Sequence, residues 1–266
     1  MQNPVRQSSH QITLLSDFGL KDVYVGVMKG VIAQITPNVP VIDLTHQIPP
    51  QNVLAGRFAL LNAYPYFPRP TVHIAVVDPG VGSQRRAVAV EFPQGVVVAP
   101  DNGLVSGICQ FESPLAAVEL NNPDYWRTLS PSRTFHGRDI FSPVGAYLAT
   151  GVPLQEVGTS IDPQTLVKLD LAPVTETAEG IRGTVQYIDY FGNVITNIPA
   201  ACLTGKSWSV ELPQQTLPQS ETYSDRTPGH PVALIGSHGW LEIAVNEGNA
   251  ATQLNLTYNS SVLVRW

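Results

Sequence analysis

Asp78 and Arg85 flank the turn Pro79-Gly80-Val81-Gly82. A carboxylate held beside a guanidinium can orient a water molecule and accept its proton. Four further polar clusters stand where strands or turns are expected to end. They are Ser16-Asp17-Phe18-Gly19, Phe135-His136-Gly137-Arg138-Asp139, Asp189-Tyr190-Phe191-Gly192-Asn193, and Gly236-Ser237-His238-Gly239, which opens a hairpin carrying Glu242 and Asn246. His136 can move a proton near neutral pH. His136, Asp139 and Asp78 also form a His-plus-carboxylate set of the kind that holds a metal. However, Arg85 and Arg138 beside those carboxylates oppose a cation, so metal binding is the weaker reading. An Asp in a Pro-Gly turn with a surface Arg as partner is the plain structural alternative. Gly192-Asn193 is equally ordinary hairpin chemistry. His46 and His73 read as structural.

Several activities are excluded by pattern. No P-loop and no dinucleotide glycine fingerprint occurs. No Gly-x-Ser-x-Gly elbow is present to carry a serine nucleophile.

The elements that must position these residues follow from periodicity. Ile12–Leu15, Val41–Leu44 and Ile74–Val77 are short apolar runs of buried-strand type. Between them, Tyr24, Val27, Met28, Val31, Ile32 and Ile35 recur at helical spacing after Asp22, and Gln51–Tyr64 carries a second helical face. This β-α-β-α-β order predicts a parallel sheet covered by helices, with Asp78 at a strand's carboxyl end, where such sheets place their ligands. The chain then predicts strands at Ala87–Phe92, Val96–Ala99 and Val118–Leu120, and a helix capped by Ser142 with Pro143 at its first position. A boundary is expected between Ile161 and Thr177. Beyond it, runs at Gly183–Ile188, Val194–Thr196, Trp208–Leu212, Pro231–Ile235, Leu241–Val245 and Val262–Trp266 alternate with turns. The fold class is therefore α/β: an N-terminal α/β domain with a mostly parallel sheet (1–170) and a smaller, barrel-like all-β domain (171–266).

The 266 residues carry a net charge of -6, which offers no basic surface for nucleic acid or anionic membrane. No apolar run reaches the ~18 residues of a membrane span. Two cysteines, Cys109 and Cys202, neither form a disulfide framework nor show metal-ligand spacing. Met1–His10 is polar without a signal-peptide core, so a cytoplasmic location is expected.

Five motifs, taken in order, carry a more specific message. Ser16-Asp17-Phe18-Gly19, Val77-Asp78-Pro79-Gly80-Val81-Gly82 with Arg85, Pro100-Asp101-Asn102-Gly103, Phe135-His136-Gly137-Arg138-Asp139 and Phe191-Gly192-Asn193-Val194-Ile195-Thr196-Asn197 resemble the S-adenosyl-L-methionine hydroxide adenosyltransferase family, relatives of fluorinase and chlorinase. The resemblance implies displacement at the 5′ carbon of S-adenosyl-L-methionine, with methionine leaving and no cofactor or metal. It matches Asp78, Arg85 and His136 to the hydrolytic branch; the halogenases lack that Asp–His combination. It places ribose and adenine contacts on Asp17, Asp189, Phe191 and Asn193, and the methionine portion near Ser237. His238 follows Ser237 where the halogenases have Arg. Glu242 and Asn246 are further candidates. It also implies a homotrimer, with substrate held between the N-terminal domain of one subunit and the C-terminal domain of the next. The alternatives are a halide-using adenosyltransferase and a non-catalytic adenosine or S-adenosyl-L-methionine sensor.

Overall fold

A computed structural model of the chain describes residues 11–177, 180–212 and 215–266. The N-terminal stretch read above as lacking a signal peptide lies outside them. The described residues form two compact units, dividing between Leu169 and Asp170.

The first unit is built on a seven-stranded mixed sheet. Its strands are β1 (Gln11–Ser16), β2 (Val41–Thr45), β3 (Thr71–Val76), β4 (Ala87–Phe92), β5 (Gly95–Pro100), β6 (Ala116–Glu119) and β7 (Thr159–Ile161), in the order β2-β1-β3-β5-β4-β6-β7. β2, β1, β3 and β5 run parallel, while β4, β6 and β7 complete the sheet in antiparallel fashion. Every residue of β3, Thr-Val-His-Ile-Ala-Val, is buried, as a run rich in β-branched side chains in mid-sheet requires. β1 is the switch point, with β2 on one side and β3 on the other. Ser16 pairs with Val76, so the loops carrying Asp17 and Asp78 leave adjacent parallel strands at the same sheet edge.

Helix α1 (Tyr24–Ile35) buries Val25, Met28, Val31 and Ile32, and ends at Thr36. Helix α2 (Val53–Ala63) starts at Asn52, whose side chain accepts from the Ala55 amide at 2.9 Å. Helix α3 (Ser142–Ala149) packs on β3 because Gly145 has no side chain. A Cβ there would meet Ile74 Cγ1 at 2.7 Å, so Ala would overpack the contact by about 1–3 kcal/mol.

One expectation fails here. Ser142 does not cap α3, because the chain is already helical before it: Gly137–Phe141 forms a π-helical turn running straight into the helix. The Ser142 hydroxyl is buried without a hydrogen-bond partner. A π turn at a predicted site is a recurring sign of function.

The second unit is an antiparallel, nearly closed barrel-like sheet. It comprises β8 (Thr175–Thr177), β9 (Gly180–Ile188), β10 (Val194–Pro199), β11 (Ser209–Leu212), β12 (Gln215–Pro218), β13 (Pro231–Ile235), β14 (Trp240–Val245) and β15 (Ser261–Arg265). The order is β12-β11-β15-β9-β10-β14-β13, with β8 on β9, and a bridge between Gln219 and Ala233 brings the two ends together. Its core includes Ile181, Val185, Val194, Trp208, Val210, Leu241, Ile243, Val262 and Val264. A short helix α4 (Ala250–Gln253), capped by Asn249, was not expected from the sequence. No helix among the described residues is long and apolar enough to cross a membrane.

Candidate functional site

In the first unit, Asp78, Arg85 and His136 meet. Asp78 follows β3, Arg85 precedes β4, and His136 opens the π turn before α3. The Arg85 guanidinium lies side-on to the Asp78 carboxylate. Nε is 2.9 Å from Oδ1 and 3.1 Å from Oδ2, and Nη2 makes a short contact with Oδ2. The same Nη2 reaches His136 Nδ1 at 2.8 Å. The Asp78 and Arg85 side chains keep only 5% and 10% of their surface, so this pair works in a low-dielectric setting. The buried Phe141 ring stacks under the guanidinium, 5.2 Å from its carbon.

This geometry assigns a tautomer. A guanidinium only donates, so His136 Nδ1 must accept, and the neutral ring carries its proton on Nε2. Burial pushes the His136 pKa down and the Arg85 charge adds to that, while Asp78 and Asp139 oppose it. The net lowering keeps the ring neutral at neutral pH.

The turn after Asp78 is set by its glycines. Gly82 has φ +75°, and a Cβ there would overlap the Arg133 carbonyl. The Val81 and Ser83 amides bond back to Asp78 O and Gly80 O, so the turn is braced internally and these two amides do not face a ligand.

Asp17 sits in the neighbouring loop, its Oδ2 accepting from the Gln51 amide at 2.7 Å. Phe18, next to it, packs its ring 5.9 Å from Phe135, which places the Asp17 loop beside the His136 loop. His46 holds the loop from beneath: its Nδ1 is 2.7 Å from Ser16 Oγ, and its carbonyl accepts from the Gly19 amide at 2.7 Å. His73 is core, with Nδ1 2.8 Å from Thr13 Oγ1 and burial lowering its pKa to about 4.

Asp139, the third member of the metal set weighed above, faces two cations instead. Its carboxylate accepts from Arg127 Nε at 2.5 Å, Arg138 Nε at 2.7 Å and the Ser132 amide at 2.8 Å. Burial would raise its pKa, but Arg138, the Ser132 amide and Arg127 hold it well below the usual carboxylate range.

In the second unit, Asp189, Phe191, Asn193 and Asn246 line a cavity of about 550 Å³, together with Tyr223, Val245, Glu247 and Gly248. Asp189 shapes the loop: Oδ1 accepts from the Phe191 and Asn193 amides at 2.9 and 2.8 Å, and Oδ2 from Asn193 Nδ2 at 3.0 Å. The Asn193 carboxamide is thereby oriented, and Phe191 is left 71% exposed, presenting a ring face. Glu242 is buried and accepts from Tyr223 Oη at 2.7 Å, with His238 Nε2 at 3.0 Å. His238 Nδ1 accepts from the Trp240 amide at 3.2 Å, so both ring nitrogens have partners inside the unit. Ser237 is exposed in the turn between β13 and β14. Tyr223 was missed from sequence, although Thr222-Tyr-Ser-Asp225, with Asp225 accepting from the Thr222 amide, carries a helix-start signature that marks its turn.

The chain as a whole matches known proteins. Residues 12–158 match the model of the SAM hydroxide adenosyltransferase N-terminal domain, and residues 183–263 match that of its C-terminal domain. The chain belongs to the SAM hydroxide adenosyltransferase family. An (R)-S-adenosyl-L-methionine hydrolase of Salinispora tropica is 42% identical over 247 residues, covering 92% of this chain and 94% of that protein. A fluorinase of Actinopolyspora mzabensis is 30% identical, covering 95% and 96% of the two chains. The crystal structure of an uncharacterized conserved protein from Thermotoga maritima has a TM-score of 0.88 at 34% identity, covering 96% of this chain and all of that one. Within this family, the chain stands nearer by identity to the hydrolases than to the fluorinase.

Proposed function

We propose that this SAM hydroxide adenosyltransferase hydrolyses S-adenosyl-L-methionine to adenosine and L-methionine. The observation that carries the reading is the meeting of Asp78 and His136, from separate loops, on one Arg85 guanidinium. A halide nucleophile has no proton to lose and no use for a carboxylate beside it; water has both needs.

A sulfonium leaves without acid assistance, so catalysis reduces to placing a partly desolvated water in line with the 5′ carbon and removing its proton. The water oxygen bonds to the 5′ carbon as the carbon–sulfur bond breaks, its electron pair returning to sulfur to give neutral methionine. His136 Nδ1 is occupied by Arg85, so the Nε2 hydrogen serves to hold the water, and Asp78 is left to take the proton. Asp17 supplies carboxylate oxygen to the ribose hydroxyls, while Phe191, Asn193 and Asn246 suit adenine by face and by amide hydrogen bonding. Asp189 and Glu242 act through the loops they hold, and Ser237 remains the candidate for the methionine end. No metal or cofactor is needed for this chemistry.

The proposed residues are divided between two units, and Tyr190 and Phe191 expose 92% and 71% of their surface. With the family resemblance, this supports a homotrimer with composite sites, located in the cytoplasm, where the free cysteines Cys109 and Cys202 stay reduced. Mixed trimers of Asp78→Ala and Asn193→Ala chains would then recover activity that neither parent has. The test of function is incubation with S-adenosyl-L-methionine, with and without chloride or fluoride. Adenosine and methionine are expected in both cases; a 5′-halogenated nucleoside as main product, or saturable binding without turnover, would overturn the proposal.

A further inference from the structure

Asp139 is fully buried, and its carboxylate ties together a stretch with no regular structure of its own. Arg127 Nε binds Oδ1 at the start of that stretch, the Ser132 amide binds Oδ2 in its middle, and Arg138 binds both oxygens, at 2.7 and 2.8 Å, beyond its end. The backbone joins in. The Asp139 amide donates to Phe135 O at 3.2 Å, and its carbonyl accepts from the Arg127 amide at 3.0 Å. That carbonyl is available because Pro143, four residues on, has no N–H to complete the helical bond. The Arg138 guanidinium also lies over the Phe135 ring at 5.2 Å.

Segment 127–135 is thus closed into a strap whose knot is Asp139, and His136 is the first residue out of it. The strap touches the other half of the triad as well. Gly82, in the loop between Asp78 and Arg85, lies against the Arg133 carbonyl so closely that no Cβ fits. On the far side, Phe141 of the same π turn lies under Arg85. A ring that must offer Nδ1 to a single guanidinium nitrogen at 2.8 Å needs its backbone fixed to well under an ångström.

The geometry points to Asp139 as a positioning residue that fixes the His136 ring, and with it the Nε2–H tautomer, through the Arg127–Phe135 strap. Asp139 itself hydrogen-bonds neither the Asp78 carboxylate nor the His136 ring; its charge reaches the ring through space, and its hold on the ring's position runs through the strap. The inference rests on the proposed role of His136 for its kinetic consequence, but not for its structural one.

Asp139→Asn is the test. The amide keeps the volume but turns one acceptor into a donor facing guanidinium groups, so the strap loses its knot. In protein labelled with nitrogen-15 histidine, the His136 ring signals (assigned by their loss in His136→Gln) are expected to show Nδ1 as acceptor and Nε2 protonated in the parent. In Asp139→Asn they are expected to move toward an average of the two tautomers. In turnover, kcat should fall about tenfold or more with KM for S-adenosyl-L-methionine within about threefold, as for a misplaced group rather than a lost binding contact. In the His136→Ala background the same substitution should cost less than about threefold, because its path is already broken. Should Asp139→Asn not fold, Arg127→Gln removes one clamp while leaving the Arg138 pair, and the same direction of change is expected. An unchanged tautomer in the folded variant, or an equal kcat loss with and without His136, would overturn the inference. If His136→Ala alone keeps full turnover while the tautomer still shifts, the positioning stands and the catalytic reading of His136 falls.

Discussion

Replacing Arg85 by Lys separates charge from geometry at the triad. Arg85 makes three contacts to Asp78 and one, from the shared Nη2, to His136. Lys keeps the positive charge, so Asp78, 5% exposed, retains a counter-ion and the fold is retained. Its ammonium is a single point without the side-on fork, and a seat against the carboxylate leaves the imidazole unserved. The loss is then one hydrogen bond from a charged donor, about 1.5–3 kcal/mol in a buried setting. If that bond orients His136 for the transition state, the loss corresponds to about 10- to 150-fold in kcat at 1.36 kcal/mol per decade. Steady-state kinetics on S-adenosyl-L-methionine would read it, with substrate affinity measured separately by calorimetry and expected to change little. A Lys variant retaining more than about a third of kcat would refute the claim that the fork, rather than the charge, organises the site.

Three further outcomes are expected. Protonated His136 would present a donor to a donor at Arg85, so kcat/KM should fall on acidification with a limb below 6.5, the usual imidazole value, because burial and Arg85 lower its pKa; a limb above that value would contradict the assignment. His73, 1% exposed, has its folded pKa lowered from 6.5 to about 4, so stability is full above 6.5 and is lost as pH falls toward 4. The span is worth about 3 kcal/mol, and denaturant titrations should show that much less acid loss in a folded His73→Gln than in the parent; equal losses would remove His73 as the cause. Exhaustive chelation should leave turnover intact, and activity restored by one divalent metal after chelation would return Asp139 and His136 to consideration as ligands.

What could be read in the sequence follows the physics of each element. β1, β3, β4 and β5 were legible as short apolar runs with β-branched residues and turn residues at their ends, the form that strands buried on both faces take. β7, β8 and β12 were not, since Thr-Ser-Ile, Thr-Glu-Thr and Gln-Thr-Leu-Pro at sheet edges carry no apolar alternation. Asp78 and Arg85 were visible as a pair because one turn joins them. Arg85 and His136 are 51 positions apart and meet only through the fold, so family resemblance, not spacing, brought them together. Ser142-Pro143 imitates a helix start, which hid the π turn; only the Arg127 amide on the Asp139 carbonyl reveals why a proline is tolerated there. Asp139 was weighed as a metal ligand beside His136 and set below the other readings because Arg138 adjoins it; sequence showed that neighbour but not Arg127, which arrives from twelve positions away.

The central claim, that water attacks the 5′ carbon, has one direct measurement. Turnover of S-adenosyl-L-methionine in oxygen-18 water, followed by mass spectrometry of both products, reports where the solvent oxygen goes. The account predicts one heavy oxygen in the 5′ hydroxyl of adenosine and none in methionine, with turnover reduced about 10²–10⁴-fold in Asp78→Ala, as expected for loss of general-base assistance. Unlabelled adenosine, or label in methionine, would contradict it.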